Sequence, residues 1–417
     1  MIVTHKIAGD EPAGSARTSG PSIATPPGKP AGLASLATGR NLPYWGARIG
    51  ISLARSAGAP IRLGRTVIAA RHVDVSEALA RDLDFVIRPG NAAKFDQIGY
   101  HFILGMDRSA ELISERRVLY AALASVDMVS LQHAAAQDIA VRLAHAAGRS
   151  VDIIEHYARP VAAATASRLF GLAPDNHALF MDASRAIFGN SFLNISGDQA
   201  MTDRALAAAG LLSDWFESEI AGRVAANKLG NDMMGALLRS GASSDLTRRT
   251  LGGMLVGAID TTATVVAKVI SVLAGDRALL ACASADCGNN HRMWGWCNEA
   301  LRRWPHGPIM IRKAARDTIL AGTEVKSGDT ILLWTEAAML DPAAFPDPLV
   351  LRPDRPNAPY LHLGGGLHPC AGRAVNGWQI PMLVSAVLEQ RPCRLGKMRW
   401  AGPFPAHLEV HLAGRAA

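Results

Sequence analysis

The chain is 417 residues long, 49% hydrophobic and 19% charged, a core-forming composition that excludes a disordered, collagen-like or disulfide-scaffold protein. Its net charge of +7 favours an acidic partner, but it is spread over too long a chain, with no long Lys/Arg run, to mark a nucleic-acid footprint. The five cysteines include no C-x-x-C pair, which excludes a zinc ribbon, and their odd number leaves at least one thiol unpaired within the chain.

Residues 1–30 are rich in Gly, Pro, Ser and Thr without an apolar run that could form a signal segment, and are read as a flexible arm. Residues 61–70 have the pattern of a hairpin and residues 73–82 that of a short helix, which together predict a small β-rich lobe. From about residue 109 to 273 nearly every segment has helical periodicity, with Ala-rich stretches separated by Gly, Pro or Asn breaks. Residues 251–273 are apolar enough to raise the question of a membrane span. Asp260 in mid-segment, with Thr261, Thr262, Thr264 and Lys268, favours instead one helix buried in the core. After Pro305, residues 318–325 and 329–334 read as short strands, residues 342–369 as irregular chain, and residues 372–389 as a last helix. No repeat period is visible. Length alone allows two or three domains.

The most informative stretch is Leu363-Gly364-Gly365-Gly366-Leu367-His368-Pro369-Cys370-Ala371-Gly372-Arg373. Its glycines permit positive φ and close approach of backbone to a flat ligand, and a cysteine at a helix entrance meets N–H groups that favour the thiolate. A Gly-rich turn ending in an inert buried thiol has the same local look. Gly257-Ala258-Ile259-Asp260-Thr261-Thr262 sets an acid and hydroxyls in an apolar helix, a costly placement unless they serve a ligand or a water chain, or unless a Thr bonds back to the preceding turn. Glu299 and Arg302 are spaced i, i+3 on one helix face, which in most proteins is a weak solvent-exposed pair. Pro308-Ile309-Met310-Ile311-Arg312-Lys313-Ala314 carries an arginine whose planar fork suits a carboxylate.

Taken in chain order, these segments resemble the cytochrome P450 haem-thiolate monooxygenases, over roughly residues 43–414. The 363–372 stretch matches the family's Phe-Gly-x-Gly-x-His-x-Cys-x-Gly loop everywhere except Leu363, and Glu299-Ala300-Leu301-Arg302 matches its Glu-x-x-Arg motif. The resemblance implies a mainly α fold with a smaller β-rich lobe, forming one catalytic domain over residues 31–417. Haem b would sit between the oxygen-binding helix and the cysteine loop.

It further implies Cys370 as the iron's axial ligand, and His368, Arg312 and Arg116, with Arg117 as competitor, as propionate ligands. Gly364, Gly366, Gly372 and Ala258 would lie against the cofactor, with Asp260 and Thr261 as the catalytic pair. Glu299, Arg302 and Arg355 would form a buried structural network. The implied partners are O2, a hydrophobic small molecule and a ferredoxin-type electron donor with an NAD(P)H reductase, for a cytoplasmic protein without nucleic-acid or membrane association. A peroxide-using or coupling enzyme on the same fold, and a non-catalytic haem sensor, are the alternatives. Three departures mark a divergent branch: Leu363 for Phe, Leu112 for a histidine one turn before Arg116, and Asn376-Gly377-Trp378-Gln379 for Ala-Arg-x-Glu.

Overall fold

The structure, a computed structural model, describes residues 44–414 apart from 147, 195, 356–358 and 403. The arm read over residues 1–30 lies outside the described residues. Twelve short strands accompany a dominant set of helices: β1 (Ile61–Leu63), β2 (Thr66–Ala69), β3 (Phe85–Val86), β4 (Ser150–Asp152), β5 (Met310–Ala314), β6 (Thr318–Leu320), β7 (Thr323–Val325), β8 (Thr330–Leu333), β9 (Pro392–Leu395), β10 (Arg399–Ala401), β11 (Phe404–His407) and β12 (Glu409–Leu412).

The β-rich lobe is a five-stranded sheet in the order β1-β2-β8-β5-β3. The 61–70 hairpin forms with Leu63 opposite Thr66, so Gly64-Arg65 is its two-residue turn, with Gly64 at φ 59. β2 pairs in parallel with β8, Thr66 opposite Thr330, and the whole helical block lies in the chain between them. Val67, Phe85, Ile331, Leu333 and Phe345 fill the core under this sheet.

The helices begin and end where local chemistry supplies caps. Ser109, Asp198 and Asn289 accept backbone N–H groups at the starts of Ala110–Ser125, Gln199–Ala225 and Asn290–Arg303. Gly171, at φ 77, ends Arg159–Phe170 in the left-handed conformation that suits a residue without Cβ. Val266, Ile270 and Leu273 of the Asp260–Leu273 helix pack with Leu383 and Val387 of Arg373–Glu389, and with Met293 and Ala300 of Asn290–Arg303. Each such buried aliphatic side chain contributes about 1.5–3 kcal/mol of transfer free energy.

The expectation of one unbroken helix over 251–273 is corrected. Ser244–Ala258 and Asp260–Leu273 meet at Ile259, whose φ of −99° and ψ of −70° interrupt the ladder. The Thr262 hydroxyl donates to the Ala258 carbonyl at 2.8 Å, which takes up an acceptor of the helix at this point. By length and composition Ser244–Leu273 could cross a membrane, but 72% of its apolar window is buried inside the protein. Strands β3, β4 and β9 to β12 had no counterpart in the sequence reading.

Candidate functional site

Leu361 and Ala371 are buried, whereas the residues between them are half-buried or exposed, so the stretch around 363–370 borders open space. Its path is fixed by backbone bonds: Gly364 N–H to the Leu361 carbonyl at 3.0 Å, Cys370 N–H to Leu363 at 2.7 Å and Arg373 N–H to Cys370 at 3.2 Å. Gly364 and Gly366 have φ of 74° and 61°. A Cβ on Gly366 would stand 1.8 Å from the Leu79 carbonyl oxygen, so only glycine lets the loop lie against the Leu79 backbone. Cys370 leads into Arg373–Glu389. Burial pushes its thiol up, while the Gly372 N–H and the Arg373 charge pull in the other direction.

Three basic side chains gather beside this loop. Arg312, on β5, is 7% exposed and makes one side-chain hydrogen bond, to the Ile311 carbonyl at 2.9 Å. Burial lowers its guanidinium to about 10 against the opposing attraction of Asp107. Arg116, from Ala110–Ser125, hydrogen-bonds the Leu367 carbonyl, whereas Arg117 is exposed. His368 is pushed down to about 4, by burial first and then by the charges of Arg312 and Arg116. Leu112 is buried in the helical core.

On the broken helix, residues 251–256 and 262–270 are buried, yet Gly257 is exposed and Ala258 and Thr261 are half-buried. That face opens onto space. Asp260 points elsewhere: its Oδ1 accepts from Arg159 Nε at 2.9 Å and Arg185 Nε at 3.1 Å, and its Oδ2 is buried with no hydrogen-bond partner. Glu155 takes the other ends of both arginines, at 3.1 and 2.5 Å. Burial works against the Arg185 charge, but Asp260 and Glu155 outweigh it and hold the guanidinium above its ordinary value. The sequence reading missed Arg159, Arg185 and Glu155. Glu155 and Arg159 are spaced i, i+4, a local signal the reading passed over, but their link to Asp260 is not local, since those contacts join residues 75 and 101 positions apart. Thr264, one turn beyond Thr261, hydrogen-bonds His306 Nδ1 at 3.1 Å, and His306 stacks on Phe404 at 4.4 Å beside Phe188.

Away from the loop's open side, Glu299 and Arg302 are both fully buried and paired through two bonds of 2.8 and 2.9 Å. Arg355 Nε adds a third at 3.0 Å, the Arg352 N–H a fourth at 2.9 Å and the Tyr360 hydroxyl a fifth at 2.9 Å. Despite burial, these donors hold the Glu299 carboxyl below its usual range. The Arg302 guanidinium also ties down the carbonyls of Met339, Pro348 and Val350.

A thiol, three basic groups around a half-buried loop, and glycines pressed on backbone form a site for a flat ligand bearing a metal and carboxylates. Among the described residues no group of three or more His, Cys, Asp or Glu could hold a metal ion. A metal at Cys370 must therefore arrive with other ligands of its own, as it does in a porphyrin. The buried Arg312, whose side chain among the described residues donates only to the Ile311 carbonyl, fits a propionate. The residues present thus fit haem.

Comparison with known proteins points the same way. Residues 295–390 match the sequence model of the family described as Cytochrome P450. Cytochrome P450 109 of Bacillus spizizenii is 25% identical over 257 residues, 58% of this chain and 60% of that protein. Mycinamicin IV hydroxylase/epoxidase of Micromonospora griseorubida is 26% identical over 269 residues, 61% of this chain and 64% of that protein. The matched region thus spans about three-fifths of these curated relatives. Among solved structures, CalO2 superposes with a TM-score of 0.76 at 21% identity, covering 90% of this chain and 98% of that one. The open form of the cytochrome P450 EryK from S. erythraea gives 0.75 at 21% identity, covering 89% and 96%. The fold is that of these enzymes.

Proposed function

We propose that the chain is a member of the cytochrome P450 superfamily, a haem-thiolate monooxygenase with residues 31–417 as one catalytic domain that oxidises a hydrophobic small molecule; the family-model match over residues 295–390 and the shared fold support this reading. The observation that carries the reading is the convergence of Cys370, His368, Arg312 and Arg116 around a loop that only glycines allow. In the overall balance, one atom of O2 enters the substrate, and the other leaves as water after two electrons and two protons are delivered.

Haem b, a cofactor common to this family, supplies when bound the O2 and one-electron chemistry that side chains lack. Cys370 holds it through sulfur, in the manner of thiolate-ligated haem proteins. Arg312, Arg116 and His368 neutralise and orient its carboxylates. Gly364 and Gly366 let the loop close on the His368 and Leu79 backbone, Gly372 adds no side chain next to Cys370, and Gly257 with Ala258 keeps the helix side small. Thr261 positions a proton at Oγ1 on the open face of the helix. Asp260 has Oδ1 engaged by Arg159 and Arg185, which leaves Oδ2 as the atom able to take and return a proton. Glu299, Arg302 and Arg355 hold the chain that leads into the loop, a structural task.

Support for an apolar substrate comes from the cluster of Phe188, Phe192, Phe404 and His306, joined through Thr264 to the helix one turn beyond Thr261. Electrons come from a separate ferredoxin-type donor with an NAD(P)H reductase, and the exposed Arg117 and Arg373 suit an acidic carrier. Five free cysteines accord with a reducing cytoplasm.

The test is product formation with NAD(P)H, a surrogate ferredoxin and its reductase against product formation with peroxide alone. Turnover in the first arm, with Thr261→Ala consuming several-fold more NAD(P)H per product, supports the reading. Product only in the peroxide arm assigns the fold to a peroxide-using enzyme.

A further inference from the structure

The chain departs from its family's pattern just after the cysteine, where Asn376 stands in place of alanine, and this departure has a position facing the sulfur. Asn376 lies in the first turn of Arg373–Glu389, its N–H bonded to the Gly372 carbonyl at 2.9 Å. Its side-chain Nδ2 lies 3.8 Å from Cys370 Sγ, within hydrogen-bonding reach of a large, polarizable acceptor. Gly372 lies beside both groups: a Cβ there would be 3.8 Å from Nδ2 and 3.9 Å from Sγ, in ordinary contact with each. Among the described residues no other side chain donates to this sulfur. The orientation is chemically determined, because a thiolate attracts the amide NH2 and repels the amide oxygen.

We propose that Asn376 is a positioning residue for the cysteine ligand: its amide donates a hydrogen bond to Cys370 Sγ and draws electron density from the sulfur that binds iron. The proposal rests on the haem-thiolate reading above. Hydrogen bonds to a ligating sulfur are among the protein's principal means of setting a metal's potential. A donor to an ionised acceptor is roughly twice as strong as a neutral one, and it favours the reduced metal, in which the sulfur carries more negative charge. The alanine of the family pattern has no such donor. Asn376 therefore sets this chain's haem at a higher potential than its loop backbone alone provides, which eases acceptance of the first electron.

The experiment uses purified, haem-loaded protein as wild type, Asn376→Leu, which removes the donor at similar volume, and Asn376→Asp, which replaces it by a charged acceptor of the same shape. Three properties are read: the reduced carbon monoxide spectrum, the one-electron reduction potential and the iron–sulfur stretching frequency. The proposal predicts a thiolate-type Soret band in the wild type. In Asn376→Leu it predicts a roughly tenfold shift of the reduction equilibrium toward the oxidised form, about 59 mV, with a raised iron–sulfur frequency. Asn376→Asp shifts the potential further in the same direction, and it carries the test if the Leu protein does not load haem. Unchanged potential and frequency in the variants, with the thiolate band intact, overturn the role of Asn376 and leave the haem-thiolate reading standing. A wild type without a thiolate band overturns that reading, and this inference with it.

Discussion

At the scale of single residues, Glu299 shows how far a contact can differ from its sequence signature. A Glu-Arg pair at i, i+3 is worth a few tenths of a kcal/mol on an exposed helix. Here both partners are fully buried, and the carboxylate takes bonds from Arg302, Arg355, Tyr360 and the Arg352 backbone. Removing one partner of such a pair leaves the others charged and without water, so Glu299→Gln should cost about 3–5 kcal/mol, read as a lowered urea midpoint and poor haem retention. The spacing of Glu299 and Arg302 was legible because both lie on one helix turn. Tyr360 was not legible, because the irregular chain that brings it back has no periodicity to read. The same holds for Asp260: its place in the helix could be read, but its clamp by Arg159 and Arg185 depends on how three helical segments pack.

At the scale of elements, the cysteine loop was the most legible part of the site, since its glycines, histidine and cysteine lie close together in one short stretch. Gly365 and Gly366 make a direct test of that account. Gly366→Ala forces a side chain into a left-handed φ of 61° and onto the Leu79 carbonyl, 1.8 Å from the new Cβ. Left-handed backbone alone costs about 1–2 kcal/mol, and the overlap moves the loop, so haem incorporation should be largely lost. Gly365→Ala meets only Leu79 Cδ1 at 3.5 Å, an ordinary contact, and should load haem as the wild type does. The ratio of Soret to protein absorbance after purification measures both. The break at Ile259 was less legible. The apolar pattern of 251–273 is continuous, and the interruption comes from the Thr262 hydroxyl and the anchoring of Asp260, which periodicity does not register.

At the scale of the whole molecule, length alone allows two or three domains; the parallel pairing of β2 with β8 joins chain from before and after the 109–273 helices in one sheet. The burial of neutral histidines gives the folded protein a defined response to acid. His362, hydrogen-bonded to Asn298 Oδ1 at 3.1 Å, is lowered by burial, and then by Arg373, from 6.5 to about 3. His306 is lowered well below 6.5 by burial, with Lys268 adding to the effect. Folded values below the unfolded one mean that the unfolded chain binds these protons first as pH falls. Their contribution is therefore complete above about pH 6.5 and drains away as pH drops below it, for His362 toward about 3, by at most about 1.4 kcal/mol per pH unit for each group. The urea midpoint should fall between about pH 7 and about pH 5, and His362→Asn should flatten that slope. An unchanged slope would remove His362 from the response.

Everything proposed for the site depends on the sulfur of Cys370 reaching iron, and the reduced carbon monoxide difference spectrum reads that bond directly. The wild type is predicted to show a thiolate-type Soret band that Cys370→Ala lacks. A spectrum of the histidine-ligated type in the wild type, or a thiolate band that survives Cys370→Ala, would contradict the assignment.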